Sequence, residues 1–350
     1  MIVNKKIIFI GPINKGNIPV GGQVSKCQEV EHYLKDSKIH YSVIDTYQKP
    51  KVFLGLKVLV STLKDRKSDI LIALSSKSAL YLAIFLWFTF SLKRTGYMVI
   101  GNWFPIFIKK NRFFFTLLNR FKFITTEGLS TQRELHECGL LNIHYHPNFK
   151  RKYFYNDIKP YELLNKKVVK ILYLSRICKD KGVDIAVEAI NKINSLNKFN
   201  FDVEIDIYGG IDPTYKSHFD ALVTCSGYAH YCGEIDLKKS INYDFLVSKE
   251  YFCFVFPTSY IGEGFAGVFI DCMTIGVPII CTDWNLNNEI IKNFENGLIV
   301  DRDAASFGDG ICWMLSNLEK RNQMANNQFI LRQNFETNVV LKDMLKLFNI

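Results

Sequence analysis

The sequence predicts an α/β protein with two parallel sheets, each covered by helices on both faces. Strand-like and helical runs alternate from the N-terminus, a polar stretch interrupts them, and the alternation then restarts. Such alternation implies parallel strands joined by crossover helices. A length of 350 residues fits two domains of this kind. We expect a first domain at residues 1–160, a second at 161–327, and a C-terminal helix at 328–350 that packs back towards the first domain.

The first half contains five predicted strands separated by helical stretches. The strands are the short apolar runs KIIFIG, IHYSVIDT, DILIALS, GYMVIGN and KFITTE. One helical stretch, Ala79–Leu92, is the longest apolar run of the chain. As a helix it would reach about 21 Å, short of the roughly 30 Å hydrocarbon core of a bilayer. Because it also lies between two predicted strands, a buried crossover helix is favoured over a membrane span.

The polar stretch Pro147–Lys167 is the predicted linker to the second half. The strands after it are VKILYLSR, FDVEIDIYG, FCFVFPTS, PIICTD and NGLIV. A helix follows the first of them, with one apolar face formed by Val183, Ala186, Val187, Ile190 and Ile193. Before the strand PIICTD the chain reads EGFAGVFIDCMTIGV. This pattern indicates a glycine-rich loop and a short apolar helix that Gly276 is placed to end.

Composition restricts the class of protein. Hydrophobic residues make up 48% of the chain and charged residues 22%, which is ordinary for a globular protein with a sizeable core. The nine cysteines include no CxxC pair, so neither a disulfide framework nor a structural zinc site is indicated. The first apolar run is too short for a signal peptide, and we expect a cytosolic, reducing location.

The two halves differ in charge. Residues 1–160 hold 25 Lys and Arg against 10 Asp and Glu, a net charge of +15, whereas residues 161–350 hold 19 against 24, a net charge of −5. Within the basic half, the segment Asn102–Phe123 mixes bulky rings with the cations Lys109, Lys110, Arg112, Arg120 and Lys122. That mixture favours an anionic membrane surface as partner. A nucleic-acid patch and a plain solvated face are the alternatives, and we expect no nucleic acid.

Two cations follow the first strand of the second half. Arg176 closes the strand, and Lys181 lies five residues further on, at the start of the next helix. A guanidinium and an ammonium group beside a helix N-terminus suit a diphosphate. Ordinary surface cations would be the alternative. Gly21 and Gly22 stand at a helix start after the first strand of the other half, where they could face the same phosphate.

Together these motifs resemble the glycosyltransferases of the GT-B fold, and specifically family four, the retaining enzymes that use nucleotide sugars. The resemblance covers nearly the whole chain. It is carried by SRICKDKG, IYGGIDP, YCGEID, EGFAGVFIDCMTIGVPIICTD and ENGLIV, and by the glycine loop of the first half. It implies two Rossmann-like domains that face each other across a cleft. Residues 1–160 would form the acceptor side, and residues 161–327 would bind the nucleotide sugar.

The resemblance implies a role for each matching residue. As catalytic residues, Arg176 and Lys181 would bind the donor diphosphate and stabilise the leaving nucleotide, and Glu263 would hold hydroxyls of the donor sugar. Asp271 would bind the ribose hydroxyls, about 9 Å along a helix that starts near Phe265. Gly22 would approach the diphosphate from the opposite domain. The other implied donor contacts are Gly233 and Glu234 near the base, and the backbone of Gly264, Phe265, Ala266 and Gly267.

Some positions depart from the family or leave alternatives open. The family has Glu in place of Asp271, and many relatives have His where this chain has Asn102, which could bind a sugar hydroxyl but not act as a base. Glu127 ends a strand on the acceptor side, where it would touch the acceptor or cap the next helix. His144 and His146 have no nearby carboxylate to complete a metal site. No metal ion and no cofactor are therefore expected.

The sequence thus predicts a retaining, metal-independent hexosyltransferase of surface polysaccharide biosynthesis, such as that of lipopolysaccharide or capsule. The donor would be a UDP- or GDP-sugar and the acceptor a glycan or a lipid-linked sugar. The protein would be cytoplasmic and peripherally bound to the inner face of the membrane. A non-catalytic GT-B subunit that supports a partner transferase is the alternative, motivated by Asp271 and Asn102. A nucleotide-sugar epimerase is disfavoured by the stretch EGFAGVFID.

Overall fold

The computed structural model of the chain describes residues 6–14, 21–111, 114–151 and 157–350. The chain divides into two compact units. Unit 1 is made of Met1–Lys152, Gly262–Phe265 and Asn334–Ile350. Unit 2 is made of Tyr153–Ile261 and Ala266–Gln333.

In the described part of unit 1, six parallel strands form one sheet in the order β2-β1-β3-β4-β5-β6. The strands are β1 (Ile7–Gly11), β2 (Tyr41–Asp45), β3 (Asp69–Ile72), β4 (Thr95–Met98), β5 (Phe123–Thr126) and β6 (Ile143–Tyr145). The helices between and beside these strands along the chain are α1 (Gly22–Asp36), α2 (Lys51–Lys64), α3 (Ser76–Phe88), α4 (Trp103–Lys110), α5 (Phe115–Leu118) and α6 (Leu129–Glu137), and one more helix of unit 1 comes from the C-terminal segment.

Unit 2 repeats this plan, with six parallel strands in the order β12-β11-β10-β7-β8-β9 among its described residues. The strands are β7 (Val168–Leu174), β8 (Asp202–Tyr208), β9 (Ala229–Tyr231), β10 (Cys253–Phe256), β11 (Ile279–Thr282) and β12 (Gly297–Val300). The helices are α7 (Val183–Ser195), α8 (Lys216–Cys225), α9 (Ser240–Ser248), α10 (Gly267–Thr274), α11 (Asn287–Ile290), α12 (Ala304–Ser316) and α13 (Leu318–Leu331).

The core of unit 2 forms as the apolar periodicity predicts. The apolar face of α7 is buried, and it joins a cluster with the strand residues Ile171, Tyr173 and Ile205. The sheet of unit 2 changes direction at β7, since β8 and β9 extend it to one side and β10 to β12 to the other. Ligands of open α/β sheets bind at such a point, beyond the carboxyl ends of the strands.

The predicted C-terminal segment 328–350 is divided in the structure. Helix α13 ends at Leu331, and a further helix, α14 (Thr337–Lys346), belongs to unit 1. Leu341 and Leu345 of α14 are buried in one cluster with Ile7 and Phe9 of β1. The last helix is therefore part of the core under the unit 1 sheet.

The apolar helix α3 differs from its prediction in extent and in burial. It ends at Phe88, before the predicted Leu92, and Phe90 has a left-handed backbone with φ of 54° that the helix cannot continue through. The expected burial holds for one face only, because Tyr81 and Phe88 on the other face are exposed. Among the described helices, none is both long and apolar enough to cross a membrane.

The basic aromatic segment Asn102–Phe123 forms the two short helices α4 and α5. Phe104, Phe121 and Phe123 are buried in the core, so these three rings do not enter a membrane as predicted, whereas the Trp103 ring is exposed. The charges of the segment are also partly used within unit 1. Lys109 pairs with Glu134, and Lys122 lies 3.6 Å from Asp69. Arg112 lies outside the described residues, and Arg120 is exposed.

Candidate active site

The predicted cations Arg176 and Lys181 follow β7, the strand at which the unit 2 sheet changes direction. Two backbone hydrogen bonds tie their loop to its neighbours. Ile177 N–H donates to the Gly210 carbonyl after β8 at 2.9 Å, and Ser259 N–H, after β10, donates to the Asp180 carbonyl at 2.7 Å. Three loops at the carboxyl edge of the sheet are thereby fixed to one another.

The turn that carries Lys181 depends on a glycine. Gly182 has a φ of 70°, and a side chain on it would collide with the Pro257 carbonyl. Only glycine fits this backbone without strain. The Tyr173 hydroxyl, in the core, donates to the Lys181 carbonyl at 3.1 Å. The position of the lysine is therefore set by residues on two strand ends.

A tyrosine that sequence reasoning missed brings the two cations together. The Tyr260 ring centroid lies 5.5 Å from Arg176 Cζ and 5.1 Å from Lys181 Nζ. Trp284 Nε1 donates to the Tyr260 carbonyl at 2.9 Å and holds that residue in place. Ring faces attract cations, so Tyr260 pre-positions both. Only its place in the loop after a predicted strand could have indicated this role.

The charge of Arg176 is fixed by its surroundings. Partial burial acts to lower the pKa of the guanidinium, but Cys178 and the Tyr260 hydroxyl act the other way, and the pKa is raised overall. The arginine is thus a permanent cation at the sheet edge. A planar guanidinium beside a lysine can meet the oxygens of a diphosphate.

Helix α10 brings a third positive element to the same edge. It begins at Gly267 with Ala266 as its N-cap, two residues later than predicted. The first N–H groups of a helix lack intrahelical partners and carry the positive end of its dipole. The Phe256 ring links the helix to the cations, since it lies 5.2 Å from Lys181 Nζ and 5.3 Å from the Phe269 ring of α10.

Asp271 lies in the second turn of α10 and is buried. The Tyr243 hydroxyl of α9 donates a hydrogen bond to its carboxylate. Because the helix starts at Gly267, Asp271 is about 6 Å along the axis from that start, and the predicted distance of about 9 Å is wrong. Its contact with a ribose stays a prediction.

The loop after β9 carries the two residues expected near the base. Gly233 has a φ of 82°, and its carbonyl accepts the Gly209 N–H at 2.9 Å. The Glu234 carboxylate lies beside Gly210 and lines a cavity of about 530 Å³ on the side of β8 and β9. Whether a base contacts this loop stays a prediction.

In unit 1, Glu263 lies on the loop Gly262–Phe265, which is held at both ends. Glu127 Oε2 accepts the Phe265 N–H at 3.0 Å, and Asn148 Nδ2 donates to the Phe265 carbonyl at 2.7 Å. At the other end, Asn102 N–H donates to the Gly262 carbonyl at 3.4 Å. The Phe265 N–H is thus paired within unit 1, which differs from its predicted contact with the donor.

The close approach at Gly264 leaves no room for a side chain. A carbon added there would collide with the Glu127 carboxylate and would lie 3.0 Å from Gly101 Cα. The loop therefore sits directly on the ends of β4 and β5. Glu263, half-buried, is carried by a backbone that is fixed on both sides.

Glu127 does not cap the next helix, which was one of its two predicted roles. It is buried and forms an ion pair with Lys26 of α1, while α6 has Gly128 as its N-cap without a side-chain hydrogen bond. Its two oxygens hold Lys26 and the Phe265 N–H, so Glu127 acts on the site by positioning the Glu263 loop. A contact with the acceptor stays a prediction. The sequence could have indicated a buried pair here, because Lys26 stands beside Cys27 on the apolar side of a predicted helix.

Unit 1 also contains Gly22 and His146. Gly22 begins α1 and is exposed, and a side chain on it would meet nothing within 4 Å. Its contact with a diphosphate stays a prediction.

His146 is buried, and this burial, with the nearby charge of Lys26, lowers its pKa to about 3. The imidazole is therefore neutral at physiological pH.

Known structures share this fold over the full chain. HepE of Anabaena in complex with UDP has a TM-score of 0.74 at 15% sequence identity, over 99% of this chain and 99% of that chain. Sucrose-phosphate synthase of Thermosynechococcus elongatus has a TM-score of 0.77 at 16% identity, over 99% and 98%. The lipopolysaccharide outer core galactosyltransferase WaaB in its apo form has 0.69 at 13%, over 98% and 99%.

These structures confirm the predicted GT-B class of two Rossmann-like domains. None of the curated proteins matches the chain in sequence at a significant level. The model of the family described as glycosyl transferases group 1 matches residues 155–329, which is half of the 350-residue chain. That match includes the Arg176, Lys181 and Glu263 motifs, and the protein belongs to the group 1 glycosyl transferases.

Proposed function

We propose that the protein is a retaining hexosyltransferase that uses a nucleotide diphosphate sugar without a metal ion. The observation that carries this proposal is the placement of Arg176, Lys181 and the α10 N-terminus at the point where the unit 2 sheet changes direction. Fixed positive groups there can take up the charge that develops on a leaving diphosphate. A uridine donor is supported by the UDP and UDP-glucose complexes of HepE.

In the proposed reaction, an acceptor hydroxyl attacks the anomeric carbon on the face from which the diphosphate departs. The new glycosidic bond forms as the bond from carbon to phosphate oxygen breaks, and the leaving phosphate takes the hydroxyl proton. Arg176 and Lys181 stabilise the departing charge, while Glu263 holds sugar hydroxyls. The chain then needs no protein nucleophile, which is consistent with Asn102 where many relatives have His.

The acceptor we propose is a glycan or lipid-linked sugar of surface polysaccharide biosynthesis. WaaB, a lipopolysaccharide galactosyltransferase with the same fold, supports this class of acceptor. The basic charge of residues 1–160, +15, supports peripheral binding to an anionic membrane. The location would be the cytoplasmic face, where nucleotide sugars and such a membrane meet.

The test is hydrolysis of a panel of UDP- and GDP-sugars with and without EDTA. We expect one donor to be consumed at a rate that EDTA does not change. Glu263→Ala should lower kcat about 10²-fold or more and leave UDP binding within several-fold, because the lost contact acts mainly in the transition state. Glu188→Ala, an exposed acid on α7, is the matched control. No consumption of any donor would favour the non-catalytic subunit, and full turnover in Glu263→Ala would remove that residue from the site.

A further inference from the structure

Helix α2 exposes an apolar stripe to solvent. Five large side chains lie within an arc of about 100° around its axis, and they are between 42% and 79% exposed: Val52, Phe53, Leu56, Val60 and Leu63. The opposite side of the helix, at Val58, is already buried in the unit 1 core. The helix is therefore apolar on two sides, and only one of these sides is buried in the core of unit 1.

Helix α3 extends this surface. Four of its side chains on one face are between 38% and 64% exposed: Tyr81, Ile84, Phe85 and Phe88. The Gly55 backbone of α2 lies against the Phe85 ring, so the exposed rows of the two helices adjoin. We call the exposed apolar side chains of the two helices the α2–α3 face. Isolated exposed apolar residues are common, but a contiguous patch on two helices marks an interaction site.

The charged residues on α2 and α3 themselves are all lysines, and Asp65, which follows α2, is paired with Lys6. Lys57 and Lys64 are exposed along one edge of the α2 stripe, and Lys77 is exposed on α3. The sequence has no Asp or Glu between Asp69 and Glu127. Within α2 itself there is none either. Any surface that covers this face must therefore supply negative charge together with an apolar environment.

We propose that the α2–α3 face docks the protein on an anionic lipid bilayer. Rings and aliphatic side chains would enter the headgroup region, and the flanking lysines would meet lipid phosphates. A second copy of the chain fits less well. In a two-fold symmetric dimer the same patch meets itself, so the lysines of both copies would be gathered in one interface without an acidic residue of α2 or α3 to balance them. The docking surface thus lies on α2 and α3 and not on the segment Asn102–Phe123.

This inference rests on the proposed function only for the choice of membrane, and its experiment contains no nucleotide sugar. Co-sedimentation would be measured with vesicles of phosphatidylcholine alone and of equal parts phosphatidylcholine and phosphatidylglycerol. We expect the wild-type protein to bind the acidic vesicles and to be released by salt. Phe53→Gln/Leu56→Gln should weaken that binding about 100-fold, since each side chain contributes about 10-fold.

The charged arm of the test uses Lys57→Gln/Lys64→Gln. This variant should bind acidic vesicles about 25-fold more weakly, from about 5-fold per lysine, and should lose the salt dependence in part. The matched control is Leu196→Gln/Ile241→Gln in unit 2, whose side chains are 67% and 68% exposed. It should bind like the wild type. Circular dichroism would establish that each variant is folded, which is expected because all these side chains face solvent.

Three results would overturn the proposal. The first is equal binding of the wild type to neutral and acidic vesicles, and the second is unchanged vesicle binding of Phe53→Gln/Leu56→Gln. The third is a wild-type protein that is dimeric and does not bind vesicles, together with a Phe53→Gln/Leu56→Gln variant that is monomeric and does not bind them either. The proposed function fails separately. Vesicle binding without donor hydrolysis would support the docking surface and contradict the transferase activity. Donor hydrolysis without vesicle binding would support the transferase activity and contradict the docking surface.

Discussion

Lys26 and Lys181 are equally hidden from solvent, at 9% and 8% exposure, but their neighbours differ. Lys26 in unit 1 is paired with the buried Glu127 carboxylate. Lys181 in unit 2 lies against the faces of Phe256 and Tyr260. A carboxylate cancels an ammonium charge, whereas a ring attracts the cation and carries no net charge of its own. The burial of a lysine therefore does not by itself identify a ligand site, since the buried Lys26 is used to hold Glu127.

The largest expected effect tests the unit 2 side of this comparison. If Arg176 and Lys181 hold a diphosphate, each contact contributes about 1.5–3 kcal/mol, so losing one should weaken UDP binding about 10- to 150-fold. The double variant Arg176→Ala/Lys181→Ala should bind uridine and UDP almost equally in calorimetry. Lys179→Ala, an exposed lysine in the same turn, should behave like the wild type. A double variant that kept its preference for UDP would show that both assignments are wrong.

The unit 1 lysine should affect stability more than binding. Lys26→Met leaves the Glu127 carboxylate buried without its cation, which costs about 3–5 kcal/mol in the free energy of unfolding. Adding Glu127→Gln should recover much of that loss. Arg151→Met, which breaks a solvent-accessible pair with Glu29 at 2.9 Å, should change stability by less than about 1 kcal/mol. Urea unfolding measures all three variants, and equal losses for Lys26→Met and Arg151→Met would contradict the distinction.

The effect that is smallest for each pH unit concerns His146, whose pKa is lowered to about 3 by its burial and by the nearby charge of Lys26. The unfolded chain takes up this proton near pH 6.5, so the unfolded state binds more protons below that pH. Stability should fall as the pH drops from about 6.5 towards 3, by up to about 1.4 kcal/mol per pH unit. His146→Gln should reduce this slope, and His32→Gln, at an exposed position, should not. Denaturation midpoints at several pH values would measure the difference.

Local pattern in the sequence predicted most of the fold. Short apolar runs and the period of α7 depend on neighbouring residues, and the strands they indicate are present. The extent of α3 was not predictable in the same way, because its end depends on the backbone of Phe90 and the exposure of Tyr81 depends on what else packs nearby. A helix that is apolar all round is normally buried.

The candidate site was predictable in part for the same reason. The motifs of Arg176, Lys181 and Glu263 are contiguous in the chain and can be recognised by spacing. The residues that hold them are distant in sequence, as Tyr260 is from Arg176 and as Lys26 and Glu127 are from the Glu263 loop. Such partners come together only through tertiary structure, which a single sequence does not reveal.

The C-terminal helix α14 has a consequence for how the protein is made. Its residues Leu341 and Leu345 lie in one buried cluster with Ile7 and Phe9 of β1, yet all of unit 2 separates the two elements along the chain. During translation, Ile7 and Phe9 would leave the ribosome long before their cover is synthesised. Apolar strands that stay exposed until the last helix is synthesised are prone to aggregation. Unit 1 is thus first to be translated but last to complete its core, and we expect it to be the unit more exposed to aggregation during synthesis.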